Sequence, residues 1–153
     1  MKKILAAALA AAFAVPAVAA TVANDFNVSV TLSSQCQVTN VSAPTVDFGT
    51  YTAFVGPSVA APTAALTFRC TRGLAPAVSF DTTNGLVNGD GVLAGLNYSL
   101  SVGAPTVVNG SAATPGSAGT ADTRSYTVTG SMPAGQAGGA GAATHVRQLI
   151  LTY

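Results

Sequence analysis

Eight residues near the front of the chain alternate without interruption: Phe26, Val28, Val30 and Leu32 interleave with Asn27, Ser29, Thr31 and Ser33. A polarity period of two is the pattern of a β-strand with one apolar face. The stripe precedes Cys36 and so lies outside the loop that Cys36 and Cys70 would close. A half-apolar strand left exposed invites aggregation unless it has a specific partner. The fold must therefore either absorb this strand or give it to another molecule.

Residues 1–20 read as a secretory signal. Lys2 and Lys3 supply the positive start, residues 4–15 the apolar stretch and Pro16 the break, with cleavage expected after Ala19 or Ala20. The apolar run is shorter than the ~20 residues a membrane-crossing helix requires, so no membrane span is expected. Beyond the signal, Arg69, Arg72, Arg124 and Arg147 stand against Asp25, Asp47, Asp81, Asp90 and Asp122, with no Glu and no further Lys. This balance offers no basic patch for nucleic acid or anionic lipid. Charged residues make up only 7% of the chain, so Ser, Thr, Asn, Gly and Ala must cover its surface. Such a surface suits a subunit packed into an assembly better than a freely diffusing enzyme.

The roughly 133 residues behind the signal fit one domain. Two cysteines in an exported chain read most simply as a disulfide, Cys36 to Cys70, worth about 3 to 4 kcal/mol through loop-closure entropy. Two free buried thiols are the alternative. Neither case suggests redox catalysis, because no CxxC is present.

No segment behind the signal reads as a helix, and short β-branched bursts alternate with turn chemistry supplied by 16 Gly and all but one of the chain's 8 Pro. Strands are expected over residues 26–33, 36–41, 45–51, 63–70, 76–82, 96–102, 124–131 and 145–153. That count and spacing predict an all-β fold, an immunoglobulin-like sandwich or a related barrel. Asn84-Gly85, Asn88-Gly89 and Asp90-Gly91 mark a tight turn region. A calcium loop there fails the EF-hand pattern, since Thr83 and Gly85 occupy ligand places and no Glu closes it. Residues 103–122 and 134–143, rich in small residues, are expected to be exposed, flexible connections. The Asn-x-Ser matches at Asn27, Asn40, Asn97 and Asn109 are taken as chance in a chain of bacterial character.

Catalytic, metal and cofactor-binding residues are not identifiable. His145 is the sole histidine and the Asp residues are scattered, so neither a metal site nor a paired-carboxylate centre has positive support. The glycines of 134–143 do not sit between a strand and a helix, as a phosphate cradle requires. No cofactor is expected, and the chain is not expected to be an enzyme.

Several strings, read in order, resemble the spore coat protein U domain family, which contains subunits of archaic chaperone-usher pili. They are Asp47-Phe48-Gly49-Thr50-Tyr51, Leu66-Thr67-Phe68-Arg69-Cys70-Thr71 and Leu96-Asn97-Tyr98-Ser99-Leu100. Next come Tyr126-Thr127-Val128-Thr129-Gly130-Ser131-Met132-Pro133-Ala134-Gly135-Gln136 and the terminal Leu149-Ile150-Leu151-Thr152-Tyr153. The resemblance spans Cys36 to Tyr153; an Arg and a Met usual before the Leu-Asn-Tyr strand are missing, as is any Trp.

The resemblance implies an incomplete immunoglobulin-like β-sandwich with an N-terminal donor-strand extension: residues 21–34 as the extension and 35–153 as the pilin domain. It implies a groove beside the C-terminal strand, filled first by a periplasmic chaperone. At an outer-membrane usher, the extension of a neighbouring subunit then takes the chaperone's place, a form of strand addition. Phe26, Val28, Val30 and Leu32 would be the plugs, Leu149, Leu151 and Tyr153 would line the groove, and Arg147 would stand at its outer end. Nothing follows Tyr153 to close the sandwich, as an incomplete domain predicts. An ordinary closed domain is the alternative. Ser33, Ser34 and Gln35 alone separate Leu32 from Cys36, a reach of about 10 Å, so a return to the far edge of the same domain is not expected.

The expected function is a structural shaft subunit of a surface pilus, exported through the periplasm and supporting adhesion and biofilm formation. A tip adhesin would need a further receptor-binding domain. Two other classes compete. A self-contained binding module or adhesin would display loops 52–62, 103–122 or 134–143 to a surface ligand or glycan, and a secreted enzyme would bring His145 beside an Asp and a Ser.

Overall fold

The computed structural model describes residues 23–54, 59, 61–82 and 89–153. The signal segment and the turn positions from Thr83 to Asn88 lie outside the described residues. The chain divides into two compact units, Met1–Thr31 and Leu32–Tyr153, so the division falls inside the alternating stripe.

In the first unit, residues 23–31 form no strand, and Phe26, Val28 and Val30 are 85%, 86% and 92% exposed. The strand expected over 26–33 is therefore an unladdered segment, because alternation alone makes no strand until a neighbour supplies hydrogen bonds.

The second unit is all-β, and its described strands are β1 Cys36–Val38, β2 Thr63–Cys70, β3 Ala77–Phe80, β4 Gly91–Leu93, β5 Leu96–Val102, β6 Thr106–Val108, β7 Asp122–Ser131 and β8 Leu149–Thr152. They form antiparallel sheets that curl into an immunoglobulin-like sandwich. The larger sheet has six strands in the order β1-β2-β7-β5-β4, with β6 also on β7; the smaller contains only β3 and β8. Alternation builds the core: Ala64, Phe68 and Cys70 of β2 and Asp122, Tyr126 and Val128 of β7 are buried on one face. Phe68 and Tyr126 meet edge to face at 5.8 Å between ring centroids.

Cys36 and Cys70 are direct register partners across β1 and β2 and form the disulfide, with a sequence separation of 34. Gln35 marks the anchored start of the domain. Its N–H donates to Thr71 Oγ1 at 2.9 Å, and its carbonyl accepts from the Thr71 N–H at 2.8 Å.

Several expectations require correction. Residues 45–51 form no strand; Asp47 Oδ1 accepts from the Gly49 N–H at 2.8 Å in a tight turn at which Gly49 has φ +64°. Residues 103–122 are not merely a flexible connection: β6 pairs with β7, and beyond it the Thr120 N–H donates to the Ser111 carbonyl at 2.9 Å while Thr114 bridges Ser117. Both Asp122 carboxylate oxygens hold this region, accepting from Gly110 N–H at 2.7 Å and Gly73 N–H at 2.8 Å. The segment 134–143 is strand-free yet anchored, since the Gly139 N–H donates to the Ala94 carbonyl at 2.8 Å and Gly138 lies against Leu96.

Candidate functional site

The two sheets are unequal, and their burial shows it. In β2 and β7 most inward residues are buried, Leu66 and Arg124 being only partly so, whereas no residue of β3 or β8 is buried. Within the smaller sheet Val78 stands opposite Leu151 and Phe80 opposite Leu149. Leu149 and Leu151 pack, only partly buried, against Phe68, Cys70 and Tyr126, together with Val78, Leu66 and Val102. Among the described residues β8 pairs with β3 alone, so its other backbone edge has no ladder. An isolated strand pair is marginal in water, and its apolar side chains and open edge favour the addition of a further strand.

The sequence-predicted groove residues separate here. Leu149 and Leu151 face the core on one parity, while Ile150 faces outward at 41% exposure. Tyr153 lies past the end of β8 and is 57% exposed. Leu32 is 79% exposed, in keeping with the other three apolar residues of the stripe.

Arg147 departs from the outer position expected of it. It shares the parity of Leu149 and Leu151, turns inward, and its Nε donates to Asp81 Oδ1 at 2.8 Å, with only 7% and 5% of the two side chains exposed. Its Nη1 donates to the Asp90 carbonyl at 2.7 Å and to Tyr98 Oη at 3.2 Å, and its Nη2 to the Asp81 carbonyl at 3.2 Å. The Gln148 N–H adds a donor to Asp81 Oδ1 at 3.1 Å. Burial, the largest single influence, acts to lower the Arg147 pKa, but the hydrogen bonds and charge interactions with Tyr98 and Asp81 together raise the net value. This network clamps the entry to β8 onto the end of β3 and the start of β4, and so sets where the open edge lies.

Tyr98 Oη also hydrogen-bonds His145 Nδ1 at 2.6 Å. The enzyme alternative required His145 beside an Asp and a Ser; its ring instead meets a tyrosine that an arginine already engages. Among the described residues no three His, Cys, Asp or Glu cluster as a metal ion would require, and no helix is long and apolar enough to cross a membrane.

Sequence reasoning missed Asp81, Tyr98 and Asp122 and misplaced Arg147, although a signal pointed to two of the four. Arg147 lies on the apolar parity of its strand, and Asp122 lies on the parity of Tyr126 and Val128. A charge on an inward parity must be paired or become a liability.

The strings that carried the resemblance converge in space. Tyr51 Oη donates to the Pro133 carbonyl at 2.9 Å and accepts from the Gln136 N–H at 2.8 Å. The Gln136 side chain exchanges hydrogen bonds with the Asn97 backbone at 2.8 and 3.0 Å. Phe48 lies 5.8 Å from the Tyr98 ring, and Val46 and Phe48 occupy the space that the missing side chain of Gly130 leaves open. These residues form an internal lock that holds segment 45–51 to the sandwich.

The Spore Coat Protein U domain matches residues 22–145. The chain belongs to this family. Its members are subunits of the archaic chaperone-usher pilus type, a structural and extracellular fimbrial family, not a family of enzymes. The matched range includes the exposed stripe as well as β1 to β7. No curated protein and no solved structure matches the chain.

Proposed function

We propose that this protein is a shaft subunit of a chaperone-usher pilus, assembled by donor-strand exchange. The stripe Phe26, Val28, Val30 and Leu32 of one subunit lies along the unpaired edge of β8 in the next. The observation that carries this reading is the incomplete smaller sheet: a β8 without an outer neighbour among the described residues and with half-covered Leu149 and Leu151. Backbone hydrogen bonds supply adhesion independent of sequence, and alternate side chains choose the register. Four large apolar side chains buried at about 1.5 to 3 kcal/mol each contribute roughly 6 to 12 kcal/mol before ordering costs.

An open edge of this kind aggregates if left bare. A periplasmic chaperone therefore lends a strand until an outer-membrane usher exchanges it for the next subunit's extension. Fibres on the cell surface then support adhesion and biofilm formation. A pilin domain preceded by its own donor segment suits a shaft position.

Deleting residues 21–32 is expected to leave a subunit that no longer polymerises, by size-exclusion chromatography and negative-stain microscopy. A synthetic peptide of residues 23–34 should raise its unfolding temperature, because a ligand for the folded state stabilises it by mass action. The same peptide carrying Val28→Asp and Val30→Asp should not. Fibres from the deleted chain, or an unfolding temperature indifferent to the peptide, would overturn the reading.

A further inference from the structure

The fold sorts its few charges by the end of the sandwich at which they stand. Cys70 is level with Cys36 and with Asp122, and Gln35 is bonded to Thr71, so Arg69 and Arg72 stand at the end where the chain enters the domain. Both are exposed. Arg124 and Asp122 lie at the same end on β7, and three arginines against one aspartate leave a surplus of two positive charges there.

The opposite end carries the reverse sign. Asp90 directly precedes β4, and its carbonyl holds Arg147 at the entry to β8. Asp47 sits between Val46 and Phe48, which lie over Gly130 near the far end of β7. Arg147 is matched by Asp81 in their buried pair, whereas Asp47 and Asp90 are exposed and, among the described residues, form no ion pair. Two negative charges therefore remain at this end. β8 runs from the anionic end to the cationic one, since it starts beyond Arg147 and closes with Thr152 level with Ala77, the first residue of β3.

We propose that consecutive subunits of the polymer dock end to end, the Arg69 and Arg72 end of one body against the Asp47 and Asp90 end of the next copy. The inference rests on the strand-addition reading and adds a second contact to it. A stripe laid antiparallel to β8 leaves its acceptor at the Arg147 end, and only Ser33 and Ser34 separate Leu32 from the anchored Gln35. That reach is about 10 Å, so the cationic end of the donor body arrives beside the anionic end of the acceptor. A parallel stripe would leave at the Thr152 end and set arginines against arginines. Opposed ends of unlike sign speed encounter and exclude the reversed orientation, which is the use to which exposed charges are best suited.

The test compares polymerisation rates, by light scattering, of four forms of the chain from residue 21: the parent, Arg69→Gln with Arg72→Gln, Asp47→Asn with Asp90→Asn, and all four substitutions together. Asn at position 47 keeps the Oδ1 that accepts from the Gly49 N–H. At roughly 0.01 M salt, where the Debye length is about 30 Å, each two-site variant should polymerise roughly tenfold more slowly than the parent. The four-site variant should be no slower than either, because a neutral end has nothing left to lose from its partner. At about 1 M salt, where the Debye length is about 3 Å, all four rates should converge. Net repulsion alone would slow the arginine variant and spare the aspartate variant. If the arginine pair fails to fold, Arg69→Gln alone takes its place. Equal rates at low salt, slowing confined to the arginine variant, slowings that multiply in the four-site variant, or differences that survive high salt would each overturn the end-to-end contact. Excess peptide of residues 23–34 should stop polymerisation of every form. A peptide without effect would remove strand exchange, and this contact with it, whereas effective peptide with equal rates would remove the contact alone.

Discussion

Asp122 shows how much one charge can organise in a chain this poor in them. Its two carboxylate oxygens fasten Gly110 and Gly73, from segments far apart in sequence, to the start of β7. The Gly110 and Gly73 N–H groups, in that order, hold its carboxyl below its ordinary pKa of 3.8 against the opposing effect of burial, with Arg124 and Arg72 assisting. A carboxyl whose folded pKa is depressed adds stability above its unfolded value, and that contribution disappears as pH falls through the folded value. Asp122→Asn should therefore lower the unfolding temperature at pH 7. Its deficit relative to the parent should shrink as pH falls below 3.8, as followed by thermal melts across an acid series. A deficit independent of pH would mean that shape rather than charge matters at this position.

Among the elements, the hairpin of β4 and β5 was hardest to foresee. Leu93 faces Leu96 across a two-residue turn, Ala94-Gly95, in which both residues have positive φ, 51° and 77°. Asn-Gly or Asp-Gly normally announces such a turn, and Ala in the left-handed region costs about 1 to 2 kcal/mol. The surrounding ladder and the Gly139 N–H on the Ala94 carbonyl hold it in place. Ala94→Gly should accordingly raise stability by up to about 1 kcal/mol, the relief being partly offset by extra freedom in the unfolded chain; urea denaturation would read it. By contrast β2 and β5 were legible in full, Thr63–Cys70 and Leu96–Val102, because each alternates cleanly between breakers. Strand-like composition misled at 45–51, where Val46 and Phe48 pack inward over Gly130 without entering a ladder.

At the scale of the molecule, the imbalance between a sheet of six strands and one of two is the feature with the largest consequence. If subunits assemble by strand addition as proposed, protease access to the stripe should change, since its Phe26, Val28 and Val30 are 85% or more exposed in the lone chain. Chymotrypsin should cut at Phe26 in subunits kept unassembled, and that cut should be suppressed by an order of magnitude or more once the segment is laddered in a fibre. Mass spectrometry of the released peptides would measure it. Equal cleavage in both states would place the stripe outside the fibre contacts.

Local pattern by itself determined the all-β class, most strand positions and the pairing of two cysteines, because alternation, turn chemistry and loop closure act between near neighbours or leave no alternative partner. Only the tertiary structure decided that Arg147 enters the core to meet Asp81 while Arg124, among the described residues, has no acceptor for its buried Nε. It also decided that, among the described residues, β8 borders a single strand. Those outcomes depend on which residues of strands distant in sequence come level across a sheet, and register of that kind is a property of the packed whole, not of any one segment.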